Sequence, residues 1–180
     1  MKDVFLRGPR LYLRGLREED AGGDYPDWLN DAEVCAGNSH GVYPYTRQAA
    51  RDYIRSSAAS AQDLVLAMVL AAGDRHIGNV SLQRIHILNR SAEFAILLGD
   101  KSAWGQGYGE EAGRLICAHG FAVLNLHRIH CGTFASNAGM MRLAEKLGMQ
   151  REGVQRQAAY KNGAYVDVVL YGLLRGEANF

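Results

Sequence analysis

Three glycines at alternate positions, Gly105, Gly107 and Gly109, give this sequence its clearest chemical signal. They occur in the run 104–109 (WGQGYG), directly before a pattern typical of a helix. A glycine-rich turn in front of a helix leaves backbone N–H groups without partners, and the helix N-terminus adds a partial positive charge. Such a loop binds anions, and a pyrophosphate fits it well. The loop therefore predicts a cofactor that carries phosphate groups.

The residues around the loop exclude two common phosphate-binding motifs. A P-loop ends in Gly-Lys-Ser/Thr, whereas Glu110 and Glu111 follow Gly109. A dinucleotide fold needs G-x-G-x-x-G early in a βαβ unit, whereas the spacing here is G-x-G-x-G after strands of antiparallel character. A tight turn from strand to helix, with no ligand, remains the alternative to a cofactor loop.

Two strands and two helices must hold this loop in place. The alternating run 92–98 predicts a strand before it, and the run 127–133 predicts a second strand. Apolar residues recur at helical spacing after the loop; they are Ala112, Leu115, Ile116, His119, Ala122 and Val123. Asn137 is the predicted N-cap of a further helix, and Gly148 is typical of the position after its end.

The remaining patterns predict one α+β domain, residues 1–180, without repeats or linkers. They indicate a strand at 10–14, a helix from Arg17, a helix at 47–57, a hairpin of 64–71 with 76–83, and a final hairpin around Asn162 and Gly163. The first helix carries an acidic line, Asp20, Asp24, Asp27 and Asp31. This line indicates either a solvated face or a docking surface for a cationic substrate.

Composition excludes several classes of function. A net charge of +1 over 180 residues gives no basis for nucleic acid binding. Three cysteines without C-x-x-C spacing favour a reducing compartment over disulfides or zinc, and the histidines at 119, 127 and 130 share no close spacing, so no metal is expected. The chain shows no signal peptide or membrane-spanning run. We therefore expect a cytoplasmic protein that binds no membrane.

The run 104–112 resembles the acetyl-CoA pyrophosphate motif of the GNAT N-acetyltransferases, written Arg/Gln-x-x-Gly-x-Gly/Ala. Its tryptophan is common in the branch that contains ribosomal-protein N-terminal and spermidine acetyltransferases. Later segments resemble the family in order and spacing; they are 125–129 (NLHRI), 135–137 (ASN), 145–149 (EKLGM), 152–154 (EGV) and 162–174. The resemblance covers residues 11–174, nearly the whole chain.

This resemblance implies a GNAT-like α+β fold. Its mixed, mostly antiparallel sheet has about seven strands and about four flanking helices. Two central strands, here 92–98 and 127–133, splay apart like a V, and acetyl-CoA lies in the gap as co-substrate. The implied cofactor contacts are Leu97 and Leu98 on the thioester carbonyl, the loop residues Trp104, Gly105, Gln106, Gly107, Tyr108 and Gly109, and further along the chain Asn137 and Lys146.

The resemblance also implies direct transfer of acetyl from the thioester to an amine. A primary amine with a pKa of about 10 is protonated at neutral pH, so a base must take its proton. Glu93 is the first candidate, because it projects from the strand opposite Phe94 and its neighbours. Many family members place an acidic tyrosine where this chain has Ala144. Tyr171, Ser136 or water is then the candidate acid.

The acceptor stays open between a polyamine, an amino sugar and a protein N-terminus. Residues 90–94 and 124–127 resemble polyamine acetyltransferases, whereas 28–31 resemble amino-sugar and ribosomal-protein acetyltransferases. The loop residues His40, Tyr43 and Tyr45 are candidates for an acceptor pocket. Without the usual tyrosine, a catalytically weak acyl-CoA-binding sensor on the same fold is the alternative function. The final hairpin could support a homodimer.

Overall fold

Eight strands form one mixed sheet in the computed structural model, which describes residues 3–180. The strands are β1 (Leu6–Arg7), β2 (Leu11–Gly15), β3 (Leu64–Leu70), β4 (His76–His86), β5 (Ser91–Leu98), β6 (Arg128–Phe134), β7 (Gln150–Lys161) and β8 (Ala164–Leu174). The helices are α1 (Tyr25–Trp28), α2 (Arg47–Ala59), α3 (Tyr108–Ala122) and α4 (Ala138–Lys146), with 3-10 turns at Glu18–Gly22, Lys101–Ala103 and Arg175–Glu177. The strand order is β1-β2-β3-β4-β5-β6-β8-β7.

The sheet opens at its centre. Strands β5 and β6 run parallel and pair only from Ser91 with Arg128 to Glu93 with His130. Beyond that point β5 stays with β4 as far as Leu98, and β6 stays with β8 as far as Phe134. All other pairings are antiparallel in the described part of the chain. The predicted α+β fold with a V-shaped splay is confirmed.

The two faces of the sheet carry different helices. Helices α3 and α4 cover one face, where Phe94, Ile116 and Leu147 belong to the largest apolar cluster. Helices α1 and α2 cover the other face with a smaller cluster that includes Trp28 and Ile54. Successive strand residues alternate between these faces. We call them the α3/α4 face and the α1/α2 face.

The predicted first helix is divided into a 3-10 turn and the single turn α1. Gly22 and Gly23 end the 3-10 turn, and Gly23 adopts an extended conformation. Pro26 lies in the first turn of α1, which is the helical position where a missing N–H costs nothing. The prediction of one continuous helix was wrong because these residues outweigh the apolar spacing.

The sheet has one strand more than the seven expected. The additional strand β1 has two residues, which is too short for any periodic pattern to indicate. The final hairpin is confirmed, with Asn162 and Gly163 both at positive φ, as a type I′ turn requires. Within residues 3–180, no helix has the length and apolarity needed to cross a bilayer.

Candidate active site

The glycine loop has the backbone conformation of an anion site. Gly105 and Gly107 have φ angles of 73° and 81°, which are left-handed values that glycine adopts without strain. Gly107 is the N-cap of the 15-residue helix α3, and no side chain caps that end. The first N–H groups of the helix are therefore available to a ligand, beside the positive end of the helix dipole.

An ion pair between distant residues holds the loop against β2. The Glu111 carboxylate accepts hydrogen bonds from Arg10 Nε at 2.8 Å and from the backbone N of Arg10 and Leu11 at 2.8 and 3.1 Å. Arg10 Nη1 donates to the Gln106 carbonyl at 2.8 Å, and its guanidinium lies 4.7 Å from the Tyr108 ring centroid. Arg10 places a cation beside the predicted phosphate site. Sequence reasoning missed it because about 100 residues separate the two partners.

Two tryptophans connect the loop, the end of β5 and helix α1. Trp104 Nε1 donates to the Leu98 carbonyl at 2.8 Å, and Gln106 Nε2 donates to the Ser102 carbonyl. Both side chains thereby shape the loop. On the α1/α2 face, the Trp28 ring packs against Gly99 so closely that a Cβ there would lie 2.0 Å from Trp28 Cδ2.

The hydrogen-bond alternation of β5 distinguishes the two predicted carbonyl-binding amides. The N–H of Gly99 donates to the Ile77 carbonyl of the neighbouring chain segment at 3.0 Å. Donation to β4 alternates along an antiparallel ladder, so the N–H of Leu97 also points to β4 and that of Leu98 points to the open gap. The geometry thus favours Leu98 as the thioester-polarising donor. The side chain of Leu97 packs with the α1/α2 cluster.

The start of α4 contacts the loop between α1 and α2. Asn137 Oδ1 accepts from the Met140 N–H at 3.0 Å, which confirms the N-cap, and its Nδ2 donates to the Gly37 carbonyl at 3.0 Å. Ser136 is exposed in the preceding turn. Asn137 therefore lies where the β6 arm of the V meets a loop of the α1/α2 face, and its contact with a cofactor stays a prediction.

Lys146 lies at the junction of α4 with the first turn of α3. Its Nζ is 3.4 Å from Glu110 Oε2, and Arg114 Nε lies 3.2 Å from Glu110 Oε1. Burial alone would raise the pKa of Glu110, but the hydrogen bonds from these two cations lower it below its usual value. The carboxylate that directly follows the glycine loop in the chain is thereby paired with two cations, which favours an anionic ligand. The predicted contact of Lys146 itself with the cofactor stays a prediction.

A buried hydroxyl without a partner tests whether a cofactor fits the gap. Thr133 is 5% exposed, and its Oγ1 has no hydrogen-bond partner among residues 3–180. Thr133 lies on β6 beyond the splay, on the same strand face as the core residues Ile129 and Cys131. Leaving a buried hydroxyl unpaired costs about 1–3 kcal/mol. A polar ligand in the gap would remove this cost, so the residues present fit a phosphate-bearing cofactor that extends into the V.

Glu93 lies at the apex of the V on the α1/α2 face. It pairs with Gln83 on β4 and with His130 on β6, and these three side chains form a row across three strands. Glu93 Oε2 is 3.0 Å from Arg84 Nη1, and 28% of the glutamate side chain is exposed. Burial lowers the pKa of His130, and the nearby Glu93 carboxylate partly opposes this shift. The sequence indicated Glu93 but gave no signal for its neighbours.

Tyr171 lies apart from this row. Tyr171 is on β8, one strand beyond β6, where it pairs with Cys131 of β6. Its side chain is 3% exposed within the apolar cluster of the α3/α4 face. Burial and the Glu145 carboxylate, which its hydroxyl contacts, raise its pKa. Ala144 is fully buried in the same cluster. This packing disfavours Tyr171 as an acid, and its role stays a prediction.

A buried ion pair supports α1. Arg14 Nη2 lies 2.7 Å from Asp20 Oδ1, and both side chains are 7% exposed. His76 lies beside them, with Nδ1 3.6 Å from Asp20 and Nε2 2.9 Å from Asn79 Oδ1. Burial lowers the pKa of His76, although Asp20 opposes this effect. Arg14, Asp20 and His76 line a pocket of about 650 Å³ together with Trp28.

The predicted acidic line does not form. Asp20 points inward to Arg14, and Asp31 Oδ2 binds Lys101 Nζ at 2.8 Å. Asp24 and Asp27 remain exposed. The interpretation of one acidic face was wrong, because it assumed a continuous helix. The four aspartates therefore do not form the docking surface that was one of the two interpretations of this segment.

The loop between α1 and α2 is held by contacts with Tyr25 and with β7. Tyr45 lies 6.1 Å from Tyr25 between ring centroids, and Lys161 Nζ donates to the His40 carbonyl at 2.8 Å. Tyr43 is exposed.

Within residues 3–180, no three or more His, Cys, Asp or Glu side chains are grouped as a metal site would require.

Comparison with known proteins gives a consistent set of relatives. The family model described as "Acetyltransferase (GNAT) domain" matches residues 10–150. The chain is 29% identical to the probable N-acetyltransferase YjcK of Bacillus subtilis over 94% of this chain and 96% of that protein. It is 33% identical to a spermidine N(1)-acetyltransferase of Vibrio cholerae over 51% of this chain and 53% of that protein.

Solved structures agree on the fold. The spermidine N-acetyltransferase of Vibrio cholerae, solved with CoA and spermine, superposes with a TM-score of 0.85 at 22% identity over 94% of this chain and 98% of that one. A glycine loop at a helix N-terminus, a splayed sheet and a family match over residues 10–150 lead to one conclusion. The chain belongs to the GNAT acetyltransferase family, as the sequence predicted.

Proposed function

We propose that this protein transfers an acetyl group from acetyl-CoA directly to a primary amine. The observation that carries the proposal is that β5 and β6 stop pairing after Glu93, which opens a gap in the sheet. The two faces of the sheet on either side of this gap differ. The α3/α4 face carries the glycine loop and the unpaired Thr133 hydroxyl. The α1/α2 face carries Glu93 and other polar side chains. A cofactor and an acceptor can therefore meet in the gap from opposite sides.

The cofactor-binding residues act mainly through the backbone. Acetyl-CoA supplies an activated thioester when it is bound. We assign the phosphates to the N–H groups of Gly105 to Gly109 and to the cation of Arg10, with Trp104, Gln106 and Tyr108 shaping the loop. The N–H of Leu98 polarises the carbonyl as an oxyanion donor, while Thr133, Asn137 and Lys146 line the rest of the cofactor's path.

The acceptor residues must supply a neutral amine. Glu93 provides the negative charge at the apex, and we propose that it belongs to the catalytic group that removes the amine's proton. The leaving thiol has a pKa of about 8.5 and needs little acid assistance at neutral pH. With Ala144 and Tyr171 both in the core, water or Ser136 is the favoured proton source for it.

The proposed amine is a polyamine, an amino sugar or a peptide N-terminus. Relatives of this chain include a spermidine acetyltransferase, which supports the first class, and a ribosomal-protein-serine acetyltransferase, which supports the last. Thiol release from acetyl-CoA is measured with spermidine, amino sugars and short peptides, with an amine-free blank for hydrolysis. We expect turnover well above the blank with one of these classes. Cofactor binding without turnover on any amine would contradict the proposal.

A catalytically weak acyl-CoA sensor is the second candidate, and the core position of Ala144 and Tyr171 favours it. A sensor binds acetyl-CoA but shows no amine-dependent thiol release, and Glu93→Gln then changes neither property. Both candidates predict thermal stabilisation by acetyl-CoA, of about 2.7 kcal/mol at 100 times the dissociation constant. No stabilisation would indicate a scaffold without a cofactor.

The proposal includes a single acetyltransferase domain over residues 1–180 in the cytoplasm, acting as a homodimer. Strand β7 supports the dimer. It spans Gln150–Lys161 at the edge of the sheet, and Val154 and Tyr160 are exposed on it. A long exposed edge is a template for pairing with another chain. Light scattering of the purified protein measures the mass, and a monomer would contradict this part.

A further inference from the structure

One row of polar side chains crosses three strands where the V begins. Gln83 on β4, Glu93 on β5 and His130 on β6 are register partners on the α1/α2 face. Gln83 Nε2 donates to Ser81 Oγ at 3.0 Å, which fixes one end of the row. Because Glu93 and His130 form the last pair before the strands separate, both side chains border the gap.

The charges around His130 balance in pairs. Arg84 lies 3.0 Å from the Glu93 carboxylate, and Arg128 forms an ion pair with Glu152 of β7. These four charged groups act on the imidazole. Burial lowers the pKa of His130, Glu93 and Glu152 oppose this shift, and the two arginines add to it. The imidazole is therefore neutral at neutral pH and able to accept a proton.

Glu93 alone is a poor base in this arrangement. One of its oxygens lies 3.0 Å from the Arg84 guanidinium, which makes that oxygen less able to accept a proton. An imidazole, ordinarily near a pKa of about 6.5, is closer to the operating pH and is the more efficient proton acceptor.

We propose that His130 is the catalytic base that takes the proton from the acceptor ammonium, and that Glu93 is a positioning residue that stabilises the resulting imidazolium. The inference rests on the proposed transfer to a primary amine and names the proton acceptor of that site. Neither the strand pattern around His130 nor its spacing in the sequence indicated this role.

The proton and electron balance is complete. The ammonium gives one proton to His130 Nδ1 or Nε2, and the freed nitrogen lone pair forms the N–C bond at the carbonyl. The C–S bond then breaks, and its electron pair leaves on sulfur. The second proton on the nitrogen passes to the thiolate through solvent, and the imidazolium returns its proton to solvent. Amide, CoA thiol and one released proton are the products.

The test is the pH dependence of kcat/KM for the amine in three single variants and the wild type. In the wild type, kcat/KM falls on the acid side as His130 is protonated. His130→Gln loses this limb and falls by about 10² or more, within the usual range for removal of a general base. Glu93→Gln keeps the limb but moves it to lower pH. His127→Gln, an exposed histidine three residues earlier, keeps the wild-type profile.

Two further measurements separate a chemical role from a structural one. Acetyl-CoA affinity and melting temperature of His130→Gln should match the wild type, with His130→Asn as a second variant if the first is unstable. Acceptor amines of falling pKa should lose progressively less rate in His130→Gln, because they need a base less. An unchanged acid limb in His130→Gln, or an equal loss on all amines, overturns the inference while wild-type turnover upholds the proposed function. A wild type without turnover overturns both.

Discussion

The two faces of the sheet meet at the same gap but are built in different ways. On the α3/α4 face, one continuous apolar cluster supports a loop whose proposed ligand-binding groups are backbone N–H groups, and one unpaired hydroxyl lies on β6 of the same face. On the α1/α2 face, a smaller cluster is combined with a buried ion pair, the partly buried His76 and the row that ends at His130. Backbone groups suit a co-substrate that does not change, because substitutions alter them little. Side chains can be substituted, so they suit the selection of an amine.

The comparison predicts that damage to one face leaves the other face working. Asp20→Asn leaves the buried Arg14 unpaired and should lower the free energy of unfolding by about 3–5 kcal/mol. Asp20 lies on the α1/α2 face, and the fraction that stays folded keeps the contact between Trp28 and Gly99, so that fraction should bind acetyl-CoA with wild-type affinity. Urea unfolding and calorimetry measure the two effects.

The matched control is Glu18→Gln, which breaks an exposed ion pair with Arg55 and should leave stability unchanged. Arg14→Met combined with Asp20→Leu should recover most of the loss, because an apolar pair avoids the desolvation cost. A large loss of acetyl-CoA affinity in folded Asp20→Asn would contradict the separation of the two faces.

Gly107→Ala should give the opposite pattern to Asp20→Asn, with a larger effect on cofactor affinity than on stability. The φ angle of 81° costs an alanine about 1–2 kcal/mol, and the loop must distort to relieve it. We therefore expect a modest loss of stability and an acetyl-CoA affinity that falls at least about tenfold, which corresponds to about 1.4 kcal/mol. Gly153→Ala is the control, because a Cβ there meets open space at ordinary φ. Equal affinities in both variants would rule out the loop as the phosphate site.

Thr133→Val should stabilise the free protein and weaken the complex. Valine has nearly the same shape, and it removes a buried hydroxyl that lacks a partner, so the free energy of unfolding should rise by about 1 kcal/mol. If the hydroxyl contacts acetyl-CoA, the affinity falls by a similar free energy. Thr133→Ser keeps the hydroxyl and should keep the affinity. Stabilisation without any change in affinity would remove Thr133 from the cofactor's path.

Acid should destabilise the α1/α2 face through His76. Burial lowers its pKa in the folded state, so the unfolded state binds more protons as the pH falls below about 6.5. The stability contributed by burying the neutral ring is present above that pH and is lost as the pH falls through the folded pKa. His76→Gln should reduce the slope of unfolding free energy against pH between 7 and 5, whereas exposed His86→Gln should not. The same slope in both would contradict this assignment.

The sequence was informative where one short segment decides the structure. The glycines of the loop, the N-cap Asn137 and the Asn162–Gly163 turn all depend on local backbone preferences, and the structure confirms the cap and the turn. The splay and the cofactor followed from the family resemblance. The loop, the cap and the turn could be predicted because each depends on a few neighbouring residues.

The features that sequence reasoning missed join residues far apart in the chain. Arg10 and Glu111, or Glu93 and His130, meet only because the topology brings their strands and helices together. The burial of Asp20 was missed because Gly23 and Pro26 redirect the chain. No local pattern carries the strand register that decides such pairs.

The contact between Trp28 and Gly99 joins the two faces energetically. Gly99 follows Leu98, whose carbonyl accepts a hydrogen bond from Trp104 beside the glycine loop, so a shift of α1 displaces the proposed oxyanion donor and the loop together. Coupling between two ligands is reciprocal and typically changes affinity 5- to 150-fold. Acetyl-CoA and the amine should therefore show heterotropic cooperativity of equal size in both directions, and Trp28 sets its strength.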